Sequence, residues 1–92
     1  MNKRDLADVV AYETGTSRSR AMASVNVVFE TIAGALREGA DVRITGFGTF
    51  AVRQRKARTG RNPRTGEAVE IPAARSPAFK PSKALKDQMN SR

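Results

Sequence analysis

Cysteine, histidine and tryptophan are all missing from the 92 residues, and each absence removes a class of chemistry. Without cysteine there is no disulfide staple, thiolate metal site or redox pair. Without histidine the usual general base and the commonest metal ligand are gone, and the charge of the chain is expected to be insensitive to physiological pH. Aromatic residues are scarce: Phe29, Phe47, Phe50, Phe79 and Tyr12 are all there are. A chain this small buries only about 60 to 65% of the surface it exposes when unfolded, so its core is thin. With metal and disulfide support excluded, association with a second copy is the economical remedy. No stretch approaches the roughly 18 consecutive apolar residues of a membrane span, and the opening "MNKRDLADVV" has no signal-peptide pattern, so a cytoplasmic location is expected. The acidic residues are scattered and form no pairing with a nucleophile or base, so neither an enzyme nor a cofactor is expected.

What the sequence has in quantity is positive charge, and all of the net charge of +8 lies in one half. Residues 1–52 carry six basic and six acidic side chains; residues 53–92 carry eleven basic ones against Glu67, Glu70 and Asp87. Charge segregated in this way is the footprint of a polyanion binder, with nucleic acid ahead of an anionic membrane surface. A basic face kept only for solubility is the plainer alternative.

The neutral half reads as two helices. Asn2 with Asp5 three residues on is a helix start, and Leu6, Val9 and Val10 supply an apolar face that ends by Gly15. Ser17 caps a longer helix in which Met22, Val25, Phe29, Ile32 and Leu36 form one stripe, closed at Gly39. That stripe is core or dimer seam. The period then changes to two: Val42 and Ile44 alternate with Arg43 and Thr45, and after the "GFG" turn Phe50 and Val52 alternate with Ala51, Arg53 and Arg55. Beyond Val52 the inward positions become Gln54 and Lys56, so from about residue 55 the strand must leave the body. Val69 and Ile71 signal its return, "PAARSPAFKP" is an edge segment punctuated by prolines, and Ser82 caps a short final helix carrying Leu85 and Met89. The expected fold is α+β: two N-terminal helices on one side of an antiparallel sheet extended into a long ribbon arm, then a short C-terminal helix. Residues 1–39 form a helical dimerisation region, 40–81 the sheet with its arm at about 55–72, and 82–92 the last helix, all within one domain.

"RTGRNPRTGE", residues 58–67, has no apolar side chain and three arginines. The expected structure is a continuous hairpin ribbon turning at Asn62-Pro63-Arg64-Thr65, with Gly66 free to take a positive φ. A strand over 53–62 reaches about 33 Å at roughly 3.3 Å per residue, about one turn of duplex DNA. With no apolar face to bury, this ribbon is expected to be mobile until a phosphate backbone neutralises Arg55, Arg58, Arg61 and Arg64. Pro63 at its tip is a turn former and also a rigid apolar ring; such rings wedge between base steps in the minor groove while flanking arginines lie in its negative potential.

The run "GFGTFAVRQRKARTGRNPRTGE", residues 46–67, resembles the signature of the bacterial HU/IHF family of histone-like DNA-binding proteins. "MNKRDL" and "PAFKPSKALKD", residues 77–87, are similar to the ends of its HU branch rather than of IHF. The resemblance covers essentially the whole chain. It implies an intertwined dimer whose two arms embrace double-stranded DNA in the minor groove, with Pro63 intercalating. It further implies a shared core in which Phe29, Phe47, Phe50 and Phe79 are joined by Ile32, Leu36 and Ile44. Phosphate contacts are implied at Lys3, Arg53, Arg55, Lys80, Lys83 and Lys86, with Lys56, Asn62, Thr65 and Arg75 completing the DNA-binding set.

The implied function is largely sequence-independent binding, bending and compaction of nucleoid DNA by a homodimer, or by a heterodimer with a paralogue. A site-preferring IHF-like bending factor is the alternative within the family. An RNA-binding role lacks an aromatic stacking surface, because the phenylalanines are assigned to the core, and RNA is at most a secondary partner.

Overall fold

The computed structural model describes residues 1–91. The chain divides into two compact units, Met1–Glu38 and the part from Gly39 onward. Helices α1 (Lys3–Thr14) and α2 (Arg18–Arg37) make up the first unit. At the start of α1, Asn2 and Asp5 exchange side-chain-to-backbone hydrogen bonds of 2.9 Å, a reciprocal capping box. Gly15 closes the helix at φ 67°. Ser17 then caps α2 through the Arg20 amide at 3.1 Å. Ala7, Ala21 and Val25 are the buried apolar residues, with Val10, Ala11 and Met22 packed around them. These are small side chains: the expected stripe on α2 is buried only at Val25, while Phe29 remains 42% exposed.

The second unit holds strands β1 (Val42–Ile44), β2 (Gly48–Arg55), β3 (Arg58–Arg61), β4 (Ala68–Ile71) and β5 (Ala74–Pro81), then helix α3 (Lys83–Asn90). They form two antiparallel sheets, one ordered β1-β2-β5 and the other the β3-β4 hairpin. Opposed residues share a face, so the pairings Val42↔Phe50, Ile44↔Gly48, Phe50↔Phe79 and Val52↔Pro77 gather one apolar face. On it the Phe79 ring lies between those of Phe47 and Phe50, at centroid distances of 5.3 and 5.0 Å. Gly48 is what lets Phe79 come so close, since a Cβ there would stand 2.6 Å from both the ring and the Lys80 carbonyl. The Phe47 carbonyl accepts from the Ser82 amide at 2.9 Å, and the Ser82 hydroxyl accepts from Leu85 N at 3.0 Å, so the "GFG" turn and the start of α3 are tied together.

Two expectations need correction. The ribbon is not continuous: β2 stops at Arg55 and β3 starts at Arg58, while opposite them β4 ends at Ile71 and β5 begins at Ala74. Register is kept across the gap, because Arg55 faces Ala74 and Arg58 faces Ile71, three residues further along each strand. Pro72, which has no N–H to offer a ladder, sits in the interruption opposite Ala57. Nor is the arm without an apolar face. Arg58↔Ile71 and Gly60↔Val69 bring Val69 and Ile71 to one side, and the Ile71 side chain lies so near Gly60 that a Cβ there would be 2.9 Å from its Cδ1.

Candidate nucleic-acid interface

The sheet's other face is the basic one. Arg43, Thr49 and Lys80 lie in one row across the three strands, and Arg53 and Arg55 follow on β2, opposite Ser76 and Ala74. All four cations are exposed. Strand alternation produces this division on β1 and β2: Val42, Ile44, Gly48, Phe50 and Val52 at even positions are apolar or glycine, while Arg43, Arg53 and Arg55 stand at odd ones. Arg43 belongs to this face and was not among the expected DNA contacts, although its alternation with Val42 and Ile44 could have placed it there. Arg75 falls on the opposite side, paired with Gln54 on the face of Phe50 and Phe79. Lys56 stands in the interruption between the two sheets, outside either ladder.

Arg58 and Arg61 lie at the two ends of β3 and, three residues apart, face opposite sides of the ribbon. Residues 62–67 form the tip. Asn62 N–H donates to the Glu67 carbonyl at 2.8 Å, and the Asn62 carbonyl accepts from Gly66 N at 2.7 Å. The side-chain Oδ1 of Asn62 accepts from Arg64 N at 2.9 Å, and Thr65 Oγ1 from Glu67 N at 3.3 Å. Gly66 has φ 73°, the positive value expected for it. Arg61 Nη1 reaches the Gly66 carbonyl at 3.3 Å, so this guanidinium braces the tip as well as carrying charge. Pro63 and Arg64 are exposed at the end of the ribbon.

Lys83 and Lys86 are exposed on α3, and Lys83 reaches Asp87 at 4.0 Å. Lys3 opens α1 in the other unit, again exposed. That unit also contains a charge pair sequence reading did not single out: Arg18 Nε and Nη2 donate to the two carboxylate oxygens of Asp8 at 2.8 and 3.2 Å, joining α1 to α2. Hydrogen bonding from Arg18 holds the Asp8 carboxyl below the usual range and raises Arg18 correspondingly. No helix of the described residues is long and apolar enough to cross a membrane.

A family profile described as bacterial DNA-binding protein matches residues 1–90. The chain is 56% identical over 90 residues to the DNA-binding protein HU-1 of Halalkalibacterium halodurans, covering 98% of this chain and 100% of that one. It is 55% identical over 87 residues to the DNA-binding protein HU of Geobacillus stearothermophilus, covering 95% and 97%. Among solved structures, the HU of an Anabaena HU–DNA co-crystal superposes with a TM-score of 0.87 at 42% identity, with both chains fully covered. HU from Thermotoga maritima gives a TM-score of 0.66 at 31% identity over 97% and 98% of the two chains. With a basic sheet face, a proline-tipped ribbon and this likeness along its length, the chain belongs to the HU family of bacterial DNA-binding proteins.

Proposed function

We propose that the protein is a homodimeric, histone-like component of the bacterial nucleoid that binds double-stranded DNA with little regard to sequence and bends it. The observation that carries this reading is the arm: a cationic ribbon ending in an exposed Pro63. Arg53, Arg55, Lys56, Arg58, Arg64, Lys80, Lys83, Lys86 and Lys3 supply the charge that neutralises phosphates, contacts that fix register without reading bases. Arg43 joins them from the basic sheet face. Pro63 wedges into a base step from the minor groove, with Arg61, Asn62 and Thr65 beside it, and the unstacked step kinks the duplex. A relative of the same fold was crystallised with DNA, which supports the choice of ligand.

Dimerisation is supported by what the single chain leaves uncovered. Phe29, Phe47 and Phe79 are each more than two-fifths exposed, and a second copy covering them, with residues 1–39 as the main dimerisation region, supplies the missing core. The test is binding and end-to-end fluorescence transfer on linear duplex across a salt series. Affinity should fall by roughly 10³ to 10⁵ between about 50 and 200 mM salt if about 6 to 10 phosphates are neutralised. Pro63→Ala should lose bending more than binding. Salt-independent affinity overturns the electrostatic mechanism, and unchanged bending overturns the wedge.

A further inference from the structure

We infer that Asn62 is a positioning residue for Pro63, its side-chain oxygen fixing the shape in which the proline ring is presented to DNA. This rests on the wedge role proposed above and deepens it.

A wedge that must pry apart stacked bases works best when it does not yield, and the two torsions of Pro63 are restrained by different means. The pyrrolidine ring sets φ covalently. Its ψ decides where the next amide points, and that amide, Arg64 N–H, is held at 2.9 Å by Asn62 Oδ1. Proline has no N–H of its own, so Arg64 offers the first one after Asn62, and an Asx side chain two residues upstream has the right reach for it. The backbone of Asn62 is engaged as well, donating to Glu67 and accepting from Gly66. One residue therefore closes the loop on both sides of the proline. Asn62 is half-buried while Pro63 and Arg64 are exposed, so the brace lies behind the part that meets DNA. Oδ1 accepts from Arg64 N–H with one lone pair, a bond that leaves its other lone pair and the amide NH₂ uncommitted.

The discriminating experiment compares the full-length protein with Asn62→Ala, Asn62→Ser and Pro63→Ala on two DNAs of one sequence, an intact duplex and a duplex kinked in advance by a nick. Serine keeps an uncharged acceptor that can form the same kind of turn. Without the brace, Asn62→Ala should weaken binding to the intact duplex about three- to tenfold and reduce its bending, while affinity for the nicked duplex falls by a clearly smaller factor. Asn62→Ser should restore both, and exchange of the Arg64 amide should quicken in the alanine variant and recover in the serine variant. Equal losses on both DNAs would make Asn62 a plain contact residue and overturn the inference, as would failure of serine to rescue. Bending reduced by Pro63→Ala but not by Asn62→Ala also overturns it while leaving the wedge intact. Bending unaffected by Pro63→Ala brings down the wedge and this inference together.

Discussion

At the scale of single residues, glycines do two distinct jobs. Gly66 is needed for a torsion, because the tip turns back through φ 73°. Gly48 is needed for space: it is buried beneath Phe79, and the nearest obstacle to a Cβ includes the backbone oxygen of Lys80, which cannot swing aside as a side chain can. Gly48→Ala should therefore cost about 1 to 3 kcal/mol of stability, the usual range for overpacking, read as a lower urea midpoint. An unchanged midpoint would mean that Phe79 and the β2-β5 pairing adjust freely. The alternation of Phe50 and Val52 with their neighbours is readable from the sequence, but the demand on Gly48 is not. It depends on Phe79 arriving from 31 residues further along the chain.

At the scale of elements, the helix ends were legible because capping is local: Asn2, Ser17 and Ser82 each accept from an amide three residues ahead. The arm was legible in outline only. Its interruption follows from Pro72 standing opposite Ala57, a pairing that depends on register and not on any short motif. The arm beyond the interruption has a single ladder of just four pairs, and an isolated hairpin is marginal in water. Hydrogen exchange should accordingly show strong protection through residues 47–52 and a sharp drop at Lys56, Ala57 and Ala73, with the arm beyond exchanging faster in the absence of DNA. Equal protection of residues 57–68 and 47–52 would refute this. In the helical pair, Arg18 depresses the Asp8 pKa, so the bridge stabilises the fold at neutral pH and above the ordinary carboxylate range. That contribution is lost as acid takes the pH down through the lowered folded value. Thermal melts between about pH 5 and about pH 2 should fall less steeply for Asp8→Asn than for the parent chain. Parallel curves would show that the exposed bridge carries no weight.

At the scale of the whole molecule, the deficit of core is the main fact. Ala7, Ala21 and Val25 are too small to hold a domain of this size together, and the sheet unit buries no large side chain among its described residues. Folding and association should therefore be a single coupled event, and the melting temperature should rise with protein concentration. Phe47→Asp, at the exposed turn beside Phe79, should shift the sedimenting species from dimer toward monomer. A concentration-independent melt together with a monomeric parent chain would overturn the dimer reading.

The sequence by itself determined the order and type of the elements, the helix caps, the two-residue period of β2 and the concentration of charge after residue 52. These are set within a few residues of chain, by torsional preference, capping and alternation. Only tertiary structure decided that Lys80 shares a face with Arg43, Arg53 and Arg55 while Arg75 does not, that Ile71 lies over Gly60, and that Asn62 braces Pro63. Those outcomes depend on which strand lies opposite which and in what register, and strand pairing joins residues whose separation no local pattern records.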